Sequence, residues 1–247
     1  MHTIQPSQES FEALASEGNA IPVYLDLTAD SETPLAAYSK IREDGPAFLF
    51  ESIVGGEHLS RFSFLGASPR KILQIGPEAT RVVEKEGRAF TVPTPDDPLR
   101  LVEEEMARYQ PVIMEGMPPF SGGAVGFVGH EYVHAIEPTV NKPRDRAIDL
   151  PTLYYMITDS ILIFDHVRQL LRICVYARVG DDPAAAYRTA VAEIEAVRRK
   201  LERPTPLRPR GLLEPEAVVV PEGNFSRDAF ERAVDRVKAY IKAGDVI

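Results

Sequence analysis

Apolar and polar positions alternate along Ile21-Pro-Val-Tyr-Leu-Asp-Leu27, the pattern of a half-buried strand, with Pro22 confined to its start or to a sheet edge. Before it, Ser7–Ser16 predicts a short helix: Ser7 can cap it, and Phe11, Leu14 and Ala15 form one apolar stripe. A second helix is expected from Thr33-Pro34, with Leu35, Tyr38 and Ile41 turned inward. The apolar run Ala47-Phe-Leu-Phe50, the Gly55-Gly56 turn signal and the alternating Arg61-Phe-Ser-Phe-Leu65 together predict a hairpin. Strands continue over Lys71–Gly76 and Arg81–Val92, the latter folded on itself at Lys85-Glu-Gly87. Asp96-Asp97-Pro98 opens a helix to about Tyr109. The longest expected hairpin joins Leu153–His166 to Gln169–Arg178, with Asp159 a bulge in its first arm. Helices with one apolar side follow over Asp182–Leu201 and Ser226–Gly244, the second capped by Ser226 and stopped by Gly244.

Strands that cluster between blocks of helix favour an α+β fold of antiparallel sheet over a doubly wound parallel one. Pro204-Thr-Pro-Leu-Arg-Pro-Arg-Gly211 reads as a linker, because its prolines block both helix and ladder. The chain's 247 residues suffice for a substantial core. A net charge of −9 argues against general binding to nucleic acid or an anionic membrane. Cys174 is the only cysteine, so neither an intrachain disulfide nor a cysteine metal cage can form, and its apolar neighbours make it a core residue. No signal peptide and no apolar stretch long enough for a bilayer are recognised, which leaves the cytoplasm as the expected compartment.

Candidate chemistry concentrates where the first hairpin turns. Glu51 and Ser52 end one arm and Arg61 opens the other, so a carboxylate, a hydroxyl and turn amides could together hold a small zwitterion. A satisfied Glu–Arg pair in an ordinary hairpin accounts for the same residues. The run Pro118–Gly129 carries Gly122, Gly123, Gly126 and Gly129, which implies close backbone approach to another strand or a ligand. It matches neither a dinucleotide-binding loop nor a phosphate loop. His130-Glu-Tyr-Val-His134 formally has zinc-protease spacing, but Pro138 soon after leaves room for barely two turns and no third ligand suggests itself; a surface or capping helix is the plainer account.

Phe48-Leu-Phe-Glu-Ser-Ile-Val-Gly-Gly-Glu57, Arg61-Phe-Ser-Phe-Leu-Gly66, Phe120-Ser-Gly-Gly-Ala-Val-Gly-Phe-Val-Gly129 and Asp159-Ser-Ile-Leu-Ile-Phe-Asp165 resemble the N-terminal half of the anthranilate synthase component I family, within the chorismate-utilising enzymes. The resemblance runs in order from about Ile21 to the last residue, where Val237–Asp245 is similar to the start of the chorismate-binding domain. Phe62 stands where tyrosine is commoner, and His58-Leu59 replace a usual Lys-Trp. The resemblance implies two antiparallel sheets packed as a sandwich with outer helices. It implies an N-terminal regulatory domain over residues 1–203, a linker over 204–225 and a truncated start of the chorismate-binding domain over 226–247. It also implies an activity: chorismate and ammonia become anthranilate and pyruvate, with Mg2+ and a glutamine amidotransferase partner, component II. By the same resemblance, catalytic and magnesium-binding groups lie beyond Ile247, and Ser52, Glu51 and Arg61 belong to the L-tryptophan feedback site. Aminodeoxychorismate synthase component I is the nearest alternative, and a non-catalytic amino-acid-binding module a more distant one.

Overall fold

The computed structural model describes residues 3–43, 45–51, 61–141, 150–207 and 223–247. In chain order the elements are α1 (Gln8–Leu14), β1 (Ala20–Thr28), α2 (Pro34–Ile41), β2 (Ala47–Phe50), β3 (Phe62–Ala67), β4 (Lys71–Ile75), β5 (Ala79–Glu84), β6 (Ala89–Pro93), α3 (Arg100–Met106) and β7 (Gly123–Val128). After a 3-10 turn at His130–Tyr132 come α4 (Val133–Ile136), β8 (Leu153–Thr158), β9 (Ser160–Asp165), β10 (Leu170–Arg178), α5 (Pro183–Leu201) and α6 (Arg227–Ala243). The chain divides into two compact units, residues 1–207 and 208–247.

The first unit contains two five-stranded sheets, ordered β1-β10-β9-β3-β2 and β6-β5-β4-β8-β7, and every ladder among the described residues is antiparallel. The expected α+β architecture is present. Alternation along each strand decides what its two faces meet. On β9, Ile161 and Ile163 pack with Met156 and Val125 of the other sheet, while Leu162 and Phe164 pack against α1, α2 and α5 through Phe11, Ile41 and Ile194. On β8 the inner residues are Tyr154 and Met156; Leu153 and Tyr155 turn outward to Val102 of α3. The layers are therefore helices, sheet, sheet, helix. Asp182 caps α5 by accepting from the Ala185 N–H, a contribution of roughly 1 kcal/mol. Complete burial of Ile194 contributes roughly 1.5–3 kcal/mol, so packing rather than capping docks this helix.

Two sequence expectations change. Leu35 of α2 is exposed, and Ala37 and Ile41 are the buried positions. More important, Leu153–His166 is not one hairpin arm with a bulge. It is two strands in different sheets, and Asp159 is the corner between them. The neighbouring β3–β4 connection turns the same corner through Ser68-Pro69-Arg70, with Ser68 left-handed at φ 53°. The crossings lie side by side: β3 pairs β9, β4 pairs β8, and the Arg70 N–H donates to the Ile157 carbonyl at 2.9 Å. Across them Arg70 Nε donates to Asp159 Oδ2 at 2.9 Å, and Arg70 Nη1 donates to Glu105 Oε1 at 3.0 Å. Lys71 Nζ reaches Glu105 Oε2 at 2.7 Å, which ties α3 to β4.

In the second unit, Ser226 Oγ accepts from the Ala229 N–H and Gly244 ends α6 at φ 82°, as the capping residues predict. Helix α6 buries none of its residues, and its stripe Phe230, Val234, Val237 and Ile241 is exposed.

The glycine run meets its expected close approach. A Cβ on Gly126 would stand 1.8 Å from the Tyr154 carbonyl oxygen, whereas one on Gly180 would meet nothing within 4 Å. Gly126→Ala is therefore expected to cost on the order of 2–4 kcal/mol in urea unfolding, against less than about 0.5 kcal/mol for Gly180→Ala. Equal costs would contradict the close approach. The Glu105 carboxyl provides a second check. Burial pushes it up, but hydrogen bonds from Lys71 and Arg70 outweigh that and hold it below the ordinary range. A depressed carboxylate stabilises the fold above its unfolded value, and that stability is lost as pH falls through the folded one. The unfolding midpoint should fall below about pH 4, and Glu105→Gln should flatten that limb of the pH profile.

Candidate functional site

The β2–β3 ladder pairs Ala47 with Ala67 and Phe50 with Phe64, so Glu51 leaves one strand beside the end that Arg61 opens. Glu51 is exposed. Ser52 and the Gly55-Gly56 turn lie outside the described residues. Arg61 is committed to Asp165: Nε donates to Oδ2 at 3.2 Å and Nη2 donates to the same oxygen at 2.6 Å. The pair forms because β3 runs beside β9, with Phe62 opposite Asp165. Asp165 also accepts the Val167 and Arg168 backbone N–H groups, each at 3.1 Å. Burial raises this carboxyl, while Arg61 and those N–H donors hold it below the ordinary carboxylate range. The Arg61 guanidinium lies 4.7 Å from the centre of the Phe62 ring. Beside them Ser63 Oγ is 2.7 Å from His166 Nε2.

This corner opens on a cavity of about 260 Å³, lined by Arg61, Met117, Pro118, Ile163, Asp165 and Arg172 among others. Arg172 forms its wall. Its Nε and Nη2 donate to Asp26 at 2.6 and 2.7 Å, its Nη1 donates to the Gly116 carbonyl at 3.1 Å, and its Cζ lies 4.0 Å from the Tyr24 ring centre. Arg172 is thus an anchor for the segment that carries Met117 and Pro118. The arrangement offers an apolar floor with a cationic rim, suited to a small molecule that has both an apolar body and a charged end.

Asp165 and Arg172 carry much of this geometry, and neither was singled out from sequence. The available signal was an acid closing an apolar strand run, with no partner nearby in the chain. Its partner is 104 residues away. Cys174 is fully buried, and burial pushes its thiol up to about 12, which makes it an inert core group. His130 and His134 fall on a 3-10 turn and a separate one-turn helix. Among the described residues no group of three or more His, Cys, Asp or Glu side chains could hold a metal ion, and no helix is long and apolar enough to cross a membrane.

Comparison with known proteins adds a family. Anthranilate synthase component 1 of Acetivibrio thermocellus is 29% identical over 245 residues, covering 98% of this chain and 49% of that protein. The Pseudomonas aeruginosa protein of the same name is 33% identical over 249 residues, covering 97% and 49%. The chain spans about half the length of the curated relatives it matches. The crystal structure of anthranilate synthase component I from Streptococcus pneumoniae aligns with a TM-score of 0.51 at 19% identity, over 89% of this chain and 46% of that one, a likeness of fold. Residues 45–247 match the family described as chorismate binding enzyme. With most of its length inside that match, the chain belongs to the chorismate binding enzyme family.

Proposed function

We propose that this chain is the N-terminal part of an anthranilate synthase component I. The whole enzyme would convert chorismate and ammonia to anthranilate and pyruvate, with the ammonia delivered by a glutamine amidotransferase, component II. The observation that carries the proposal is the colinear match, over 97–98% of the chain, to relatives named anthranilate synthase component 1. Those names also favour this assignment over aminodeoxychorismate synthase. Residues 1–203 would form the regulatory domain, 204–225 a linker, and 226–247 the opening of the chorismate-binding domain. The described residues hold no cluster fit for a metal ion, so no step through magnesium is assigned to them.

Within that enzyme, Glu51, Ser52 and Arg61 would form part of a receptor for L-tryptophan, the end product acting as inhibitor. The placement of Arg61 supports the idea. Asp165 fixes its guanidinium at the rim of an apolar cavity, where it can meet a carboxylate without first losing side-chain freedom. Glu51, leaving the neighbouring strand, supplies the opposite charge for an ammonium group.

Calorimetric titration with L-tryptophan tests the assignment. In the full-length protein, saturable binding is expected, with Ser52→Ala weakening it by about tenfold, the equivalent of about 1.4 kcal/mol. Binding that is absent, or unchanged by Ser52→Ala, would contradict the assignment. The 247-residue chain alone, given chorismate, ammonia and Mg2+, is expected to release no pyruvate. Turnover by it would contradict the division of labour.

A further inference from the structure

Arg61 can offer a ligand's carboxylate only part of its guanidinium. Its Nε and Nη2 already donate to Asp165, and Nη1 is the nitrogen left without a partner among the described residues. Arg172 has less to give. Asp26, the Gly116 carbonyl and Met117 Sδ engage all three of its guanidinium nitrogens, and its side chain is 11% exposed. A second, inner cavity shares Pro119 with this one, but its guanidiniums, on Arg70 and Arg178, are paired with Asp159 and Glu105.

Arg168 differs from all of these. It lines the Arg61 cavity and is exposed, and its guanidinium has no hydrogen bond or ion pair among the described residues. Its backbone is nevertheless fixed. Asp165 Oδ1 accepts the Val167 and Arg168 N–H groups, Gln169 Nε2 donates to the His166 carbonyl at 2.9 Å, and Gln169 closes the turn at φ 52°. The other oxygen of the same carboxylate, Oδ2, takes Arg61 Nη2. Asp165 therefore sets two cations at one rim: the guanidinium of Arg61 from β3 and the root of Arg168 from the β9–β10 turn. Asp165 offsets the charge of Arg61, and Asp26 offsets that of Arg172. Arg168 is the cation of this lining that no described carboxylate compensates.

We propose that Arg168 is a specificity-determining residue of the Arg61 cavity, the second receptor for the carboxylate of an amino-acid ligand. This rests on the amino-acid reading of that cavity given above. The ligand's carboxylate lies between Arg61 Nη1 and the Arg168 guanidinium, and its apolar body lies against Met117, Pro118 and Ile163. Both guanidiniums have solvent access: the Arg61 side chain is 35% exposed, and Arg168 is an exposed residue. A carboxylate that meets two cationic donors gains charge-assisted bonds that a neutral amide of the same shape does not. Arg168 thus makes the cavity select an acid over its amide, and it acts on the charged end of the ligand alone.

The test compares three ligands by calorimetric titration of the full-length protein at fixed ionic strength: L-tryptophan, L-tryptophanamide without the carboxylate, and indole-3-propionate without the ammonium. The parent protein should bind L-tryptophan at least about tenfold tighter than the amide. Arg168→Gln keeps the backbone N–H that Asp165 holds, and at an exposed position it leaves the core intact. It should weaken L-tryptophan and indole-3-propionate about fivefold each and the amide by less than about twofold. Arg168→Lys should restore part of the loss, and Arg188→Gln, on α5, should change none of the three affinities. If L-tryptophan binds but Arg168→Gln leaves its affinity unchanged, or weakens the amide equally, the role of Arg168 is overturned and the amino-acid reading stands. If the parent binds none of the three ligands, the amino-acid reading falls and the role of Arg168 falls with it.

Discussion

Two neighbouring strands leave one sheet and enter the other at the same place, and a single ion pair joins the two points of departure. Arg70 belongs to the β3–β4 crossing and Asp159 to the β8–β9 crossing. Each crossing costs a ladder step, and each leaves backbone polar groups that neither sheet completes. The Ile157 carbonyl accepts from Arg70, and the Asp159 carbonyl accepts the Tyr176 N–H at 2.7 Å, so β10 is drawn to the same corner. Arg178, from that strand, adds a second guanidinium at 3.3 Å from Asp159. Asp159 and Arg70 are mostly buried, at 23% and 14% side-chain exposure, so solvent screening removes less of their attraction than at an open surface. An unpaired charge there would carry a desolvation penalty of several kcal/mol, which makes the pairing specific.

The inner cavity lies at this corner, lined by Arg70, Asp159 and Arg178. Between the sheets, Ile161, Ile163, Met156 and Val125 pack together. The segment from Gly116 to Gly123 then runs between an inner cavity at Arg70 and an outer one at Arg61. Arg172 pins one end of that segment through the Gly116 carbonyl, and Ser121 binds Tyr176 near the other. The candidate amino-acid corner is thus held by long-range pairs: Arg61 to Asp165, and Arg172 to Asp26.

Local signals were enough for much of the fold. Helix α5 begins at Pro183 and ends at Leu201, and α6 lies between Ser226 and Gly244, because caps and apolar periodicity act within one or two turns. The β2–β3 pairing was likewise legible from one apolar run, one alternating run and the glycines between them. The corner at Asp159 was not. Strands β8 and β9 are largely apolar and mostly buried, and the polar step Thr158-Asp159-Ser160 between them has the same sequence pattern whether the chain bulges or passes to another sheet. Leu35 misled for the opposite reason, since it keeps helical spacing with the core position Ile41 but is itself exposed. Of the candidate site, Glu51 and Arg61 stood out because they flank a turn. Asp165 did not, because its relation to Arg61 is a property of the β3–β9 ladder and has no trace in either residue's neighbourhood.

A double-mutant cycle across the corner tests this account most directly: urea unfolding of the parent chain, Arg70→Met, Asp159→Asn and the double variant, all at neutral pH. If the pair joins the two crossings, the single losses should exceed the double loss, with a coupling of about 1.5 kcal/mol or more. Losses that add to within about 0.5 kcal/mol would mean that the two residues act independently, and that something other than their pairing holds the sheets at this corner.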